Sequence, residues 1–115
     1  MLYTSGNPEI KSDFYVEFTP AKSGGIKIDI HSTSKVLHGL KLEHTSLQVI
    51  TDLNIKHGKL LVIDNGGQYF VLQARIESAV KSANPNMNLE SLRDIKKLFD
   101  QGINSLLDKL LKTND

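Results

Sequence analysis

Two short runs of strict alternation, followed by a change of period, set the first limit on how this chain can fold. Phe14, Val16 and Phe18 alternate with Tyr15, Glu17 and Thr19, and Ile26, Ile28 and Ile30 alternate with Lys27, Asp29 and His31. Successive side chains of a strand point to opposite faces, so each run reads as a half-buried strand with one apolar and one wet side. The turn formers of "PAKSGG" lie between them, which predicts an antiparallel hairpin.

From Thr33 the spacing becomes helical. Leu37, Leu40, Leu47, Ile50 and Leu53 recur at that spacing, with Ser32 or Ser34 as the cap. Gly39 interrupts this helix at a cost of about 1 kcal/mol relative to alanine, which points to a close contact there or to a later start. Beyond "NIKHGK", the apolar run Leu60–Ile63 reads as a third strand, "DNGG" at residues 64–67 as a tight hairpin turn, and Tyr69–Gln73 as the returning strand. Ala74–Ala83 then has helical character. The predicted fold class is α+β: a four-stranded, mainly antiparallel sheet in the order β-β-α-β-β-α, with helices packed on one face.

"NPNMN" at residues 84–88 breaks the pattern. The segment after it sets Leu92, Ile95, Phe99, Ile103, Leu106 and Leu110 on one helical side, with Gly102 as a point of bending. The chain therefore divides into a flexible N-terminal segment, 1–12, a folded domain, 13–83, and a linker with an additional C-terminal amphipathic helix, 84–115. That helix has three fates open to it: folding back on the domain, self-association with another copy, or docking on a partner.

Composition excludes several function classes. A chain of 115 residues with 39% hydrophobic content is enough for one modest core. With no cysteine there is no disulfide, thiolate metal site or cysteine nucleophile. A net charge of +1 with interspersed signs gives no broad basic field for nucleic acid and no polybasic anchor for a membrane. No apolar run approaches the ~20 residues that cross a bilayer, and "MLYTSGNPE" lacks the order of a secretory signal, so a soluble, cytoplasmic protein is expected.

The chemistry-bearing residues form no catalytic pattern. His31, His38, His44 and His57 lack a metal-ligand spacing, and the glycine pairs of "SGG" and "NGG" lack the layout that brings several N–H groups onto a phosphate. No G-x-S-x-G elbow is present, and Glu17, Asp29, Asp64 and Glu77 read as surface carboxylates as easily as acid/base groups. A stand-alone enzyme is not indicated.

Taken in order, "SDFYVEFTP", "GGIKIDIHST", Gly39 in the first helix, "VIDNGG" and "LQARIESAV" resemble the citrate lyase acyl carrier protein (gamma subunit) family. The family landmarks are S-[SG]-D before the first strand, I-x-[IL]-x-I-x-S-S in the second, F-G in the helix, D-K-G-A at the second turn and R-A-R beyond it. They are collinear with this chain from Asp13 to about Val80, without insertion or deletion. Similar segments also occur fused to citrate lyase beta-like aldolase domains.

The resemblance implies that 13–83 is an acyl-carrier-like domain and a non-catalytic subunit. It would carry acetyl and citryl thioesters between citrate lyase alpha (transferase) and beta (lyase) subunits. The implied cofactor is 2'-(5''-triphosphoribosyl)-3'-dephospho-CoA, held covalently as a phosphoribosyl-dephospho-coenzyme A arm on a serine just before the first strand and installed by a prosthetic-group transferase. The arm supplies the sulfur, so a chain without cysteine meets the requirement. The family's attachment serine aligns with Lys11, and Ser12 occupies the next position. Ser12 is therefore the candidate attachment residue and Ser5 a remoter one, and the alternative is an unmodified carrier-like recruitment module that binds a lyase subunit through its C-terminal helix. A conventional acyl carrier protein is a poorer match, because the D-S-L motif is missing.

Overall fold

The computed structural model describes residues 1–33 and 36–89. Its elements are β1 (Tyr3–Ser5), β2 (Phe14–Pro20), β3 (Ile26–His31), α1 (Val36–Asp52), β4 (Gly58–Asp64) and α2 (Tyr69–Ala83). The four strands form one sheet in the order β1-β2-β4-β3. β1 pairs antiparallel with β2 and β2 antiparallel with β4, whereas β3 lies parallel to β4. The fold is thus α+β with four strands, as the sequence predicts, but the sheet is mixed and the element order is β-β-β-α-β-α.

The expected hairpin between the two alternating strands does not form, because β4 lies between them. The reason lies in β4 itself. Leu60 and Val62 are buried against the helices, while Leu61 and Ile63 are half-buried on the other face. A strand apolar on both sides gains most from a central position with neighbours on each flank, and β2 and β3, each wet on one face, take places beside it. The β3–α1–β4 crossover then makes the parallel pair.

A second expectation also changes. "DNGG" does not close a hairpin, and Tyr69–Gln73 is the first part of α2 rather than a strand. Leu72, Ile76, Ala79 and Val80 are all fully buried, a spacing of four, three and one that only a helix turns to one side. The fourth strand is instead β1, which precedes the first strand expected from the pattern; at 3 residues it is too short for alternation to reveal.

Both helices cover one face of the sheet: α2 lies on β1 and β2, and α1 on β3 and α2. Phe14, Val16 and Phe18 of β2 meet Leu42, Ile50, Leu72 and Ile76 in a single core. Gly39 lies within α1, and a Cβ built there meets nothing within 4 Å, so the close contact suggested for it is not made by any described residue. After α2, the N–H of Asn84 donates back to Val80 and Lys81 carbonyls, and Met87 and Leu89 pack against the core. Ser34 and the amphipathic segment from Leu92 to Leu110 lie outside the described residues.

Candidate functional site

The loop between β1 and β2 is stitched to the turn that leads from β4 into α2. Phe14 is opposite Asp64 in the antiparallel register, so the next step along each chain brings Asp13 beside Asn65. Asn65 donates its N–H to the Asp13 carbonyl at 3.1 Å and accepts the Ser12 N–H at 2.8 Å. Its side-chain amide donates to the Pro8 carbonyl at 2.6 Å. One residue thus ties down both ends of the segment 8–13. The turn itself closes as an Asx turn, with the Gly66 N–H donating to Asp64 Oδ1 at 2.8 Å and Gly66 at φ 87°. Gly67 must be glycine for space, since a Cβ there would lie 2.7 Å from ring atoms of Phe14.

Asp13 anchors the arrangement. Its carboxylate accepts Arg75 Nε at 3.0 Å on one oxygen and Arg75 Nη2 at 2.7 Å on the other, and it also accepts the Phe14 N–H at 2.7 Å. Planar guanidinium against carboxylate is the strongest side-chain pairing available, because two parallel bonds fix both planes. The Arg75 hydrogen bonds hold the Asp13 carboxyl below the usual aspartate range; burial opposes them, and the Phe14 N–H adds to them. Gly6 lies against the same pair: a Cβ there would be 3.3 Å from Arg75 Nε.

Ser12 stands directly before this anchor. It is exposed, and its φ of 61° places it in the left-handed region, which few serines occupy. The Asn65 carbonyl holds its backbone N–H, so the residue is fixed through its main chain while its side chain faces solvent. Lys11 beside it is exposed as well. Ser5 differs: it is buried in β1 opposite Val16, so its hydroxyl is shielded from a large reagent.

The remaining carboxylates have structural partners. Asp64 Oδ2 accepts Ser32 Oγ at 2.9 Å and is 3.1 Å from His38 Nε2, joining the end of β3, the start of α1 and the end of β4. His38 in turn stands 6.2 Å, ring to ring, from Tyr69 at the start of α2. Glu17 accepts the Tyr15 hydroxyl, Asp29 pairs with His31, and Glu77 accepts Gln73. Among the described residues no group of three His, Asp or Glu gathers to hold a metal ion. Nor is any described helix long and apolar enough to cross a membrane. What the loop offers chemically is one exposed hydroxyl on a rigidly fastened turn.

Arg75 and Asn65 are the members of this site that pattern reasoning does not single out. Arg75 falls in "LQARIESAV", beside the R-A-R landmark, but nothing in the pattern pairs it with Asp13, whose burial only the fold reveals. Asn65 stands in the "DNGG" turn, but its role in tying down the 8–13 segment depends on the β2–β4 register and had no signal.

Comparison with known proteins identifies the family. The family described as acyl carrier protein, malonate decarboxylase delta subunit, matches over residues 5–83. The citrate lyase acyl carrier protein of Fusobacterium nucleatum is 38% identical over 72 residues, which is 63% of this chain and 77% of that one. That of Klebsiella pneumoniae is 30% identical over 79 residues, 69% of this chain and 81% of the relative. No solved structure gives a significant match. A family match over most of the domain, with Asp13, Asn65 and Arg75 inside it, shows that the chain belongs to the acyl carrier family of malonate decarboxylase delta subunits and citrate lyase acyl carrier proteins.

Proposed function

We propose that this chain is a citrate-lyase-type acyl carrier of the cytoplasm, non-catalytic itself, with its coenzyme-A-derived arm joined by a phosphodiester to Ser12. The observation that supports the assignment is the position of Ser12: exposed, main-chain-fastened by Asn65, and next to the buried Asp13–Arg75 pair. A transferase must approach the acceptor hydroxyl closely, and a hydroxyl on a fixed turn spares the cost of ordering a mobile segment at that moment. The residues fit such a group, since the hydroxyl faces solvent and the chain has no cysteine of its own to compete as acyl acceptor. When attached, the arm supplies the thiol on which acyl groups are carried. Ser12 provides the ester oxygen, and Asp13, Arg75 and Asn65 fix where that oxygen stands relative to the sheet. The partners in this reading are the transferase (alpha) and lyase (beta) subunits of a citrate lyase and the prosthetic-group transferase.

Lys11 favours a second reading, because the family's serine aligns there: a carrier-like module that is never loaded and recruits a lyase. Intact mass separates the two. After co-expression with the prosthetic-group transferase the chain should gain the mass of the arm, and Ser12→Ala should abolish the gain while Ser5→Ala keeps it. A wild-type mass equal to the bare polypeptide would overturn the carrier assignment.

A further inference from the structure

The two edges of the sheet differ. β1 is 3 residues long, and an edge so short offers little to pair with. β3 is 6 residues long and free of proline, and among the described residues no strand lies beyond it. The parallel register shows which of its main-chain groups are taken. Ile26 lies opposite Gly58, and the Gly58 N–H donates to the Gly25 carbonyl at 3.0 Å, so the odd-numbered residues turn their N–H and C=O toward β4. Those of Ile26, Ile28 and Ile30 turn to the outer edge. Their side chains share the helix-covered face with Leu60 and Val62, yet they are only half-buried. Beside them a groove between β3 and α1 is lined by Ile28, Ile30, Val36, Gly39, Leu40 and Glu43, with Val36 81% and Leu40 57% exposed. On the other face Lys27, Asp29 and His31 are exposed.

We infer that a second copy of this chain covers this edge, its β3 pairing antiparallel with the first about a two-fold axis at Ile28. The outward-facing main-chain groups belong to even-numbered residues, so only registers that set even residues opposite even ones make the ladder. Centring on Ile28 sets Ile28 opposite Ile28, Ile26 opposite Ile30 twice and Lys27 opposite Asp29 twice. Lys27 and Asp29 then occupy non-hydrogen-bonded positions, where facing side chains come closest and opposite charges attract. A slip of two residues one way sets Asp29 against Asp29, and the other way Lys27 against Lys27, so charge selects the register. Directly opposed side chains share a face, so the helices of both copies lie on one side of the joined sheet. The apolar rims at Val36 and Leu40 then face each other across the junction. The contact is self-complementary and consumes the long edge of each copy, so it closes as a dimer instead of growing into a filament. β4 separates β3 from β2 and the Ser12 loop before it, so this inference is independent of what Ser12 carries.

Sedimentation equilibrium of the full chain should show a monomer–dimer equilibrium, and hydrogen exchange followed by NMR should show the amides of Ile26, Ile28 and Ile30 slowing as the dimer fills. Lys27→Asp places like charges in both cross-strand pairs and should weaken the dimer at least about tenfold. Adding Asp29→Lys to it restores opposite charges with the signs exchanged, and dimerisation should return to within about threefold of wild type. Both positions are exposed, and circular dichroism melts check that each variant keeps its fold. A chain that stays monomeric at every concentration, a dimer indifferent to Lys27→Asp, or a double variant no tighter than the single one would each overturn the inference. Edge amides that slow only on adding a lyase subunit would overturn it too, and would give the edge to that partner.

Discussion

Replacing Arg75 by alanine tests whether the Asp13 clamp holds the loop between β1 and β2. The variant removes two of the three hydrogen bonds on the Asp13 carboxylate and leaves only the Phe14 N–H. Breaking a fully buried ion pair costs about 3–5 kcal/mol, and an exposed pair is worth less than about 1 kcal/mol. Here the Asp13 side chain is 9% exposed and that of Arg75 37%, so water screens one partner and can reach the other only after the loop moves. We expect a loss of about 2 kcal/mol, which for a domain of this size lowers Tm by about 10 °C. Arg75→Lys should recover part of it, because the charge returns without the fork. The acid limb sharpens the test. Asp13 is depressed in the folded state, so its contribution is present above the unfolded aspartate value of about 4 and is lost as pH falls through the folded value. Below about pH 4 the wild type should therefore lose stability more steeply than Arg75→Ala. Thermal melts from pH 7 to 2.5 followed by circular dichroism measure both effects. A melt of Arg75→Ala within about 2 °C of wild type, with parallel acid limbs, would refute the idea that this pair holds the loop.

Other outcomes follow from single contacts. Ser46 is fully buried in α1 and its hydroxyl has no hydrogen-bond partner among the described residues, so Ser46→Ala should stabilise by about 1 kcal/mol in urea unfolding. Gly67→Ala should destabilise by about 1–3 kcal/mol through overlap with the Phe14 ring, and the same melts should show it. Gly39→Ala should raise stability by about 1 kcal/mol in the same melts, because a Cβ there meets nothing within 4 Å and alanine is the better helix former.

The elements that pattern reasoning placed correctly are those whose periods are set by burial on one side. β2 and β3 were of this kind, with Phe14, Val16 and Phe18 facing the core; α1 was placed as a helix but its face was misread, since Leu37, Leu40 and Leu47 of the expected stripe are exposed and Leu42, Ser46 and Val49 join Ile50 and Leu53 on the buried side. Strand order was out of reach, because a loop of turn formers permits a hairpin but does not require one. The decision rested on β4, whose apolar residues on both faces favour the middle of the sheet. "DNGG" misled for a related reason: a positive φ at Gly66 serves a strand-to-helix turn as well as a hairpin, and only the burial of Leu72 and Ile76 distinguishes them. At the site, the exposed Ser12 and the landmark Asp13 were visible, but the cation that pairs with Asp13 lies 62 positions away and is joined to it only by the fold.

The displacement of the serine by one position relative to its family is intelligible in this frame. What the fold fixes is Asp13, through Arg75, and the main chain of Ser12, through Asn65; the side chains at 11 and 12 both face solvent. Neighbouring Cα atoms are about 3.8 Å apart, a small step for a hydroxyl whose surroundings are otherwise fixed. If the prosthetic-group transferase recognises the fastened loop, Lys11→Ser should restore loading to Ser12→Ala, and intact mass followed by peptide mapping should find the arm at residue 11. If instead it requires the left-handed backbone at residue 12, the rescue fails while wild-type loading persists. That result would shift recognition from the Asp13–Arg75 frame to the local geometry of Ser12.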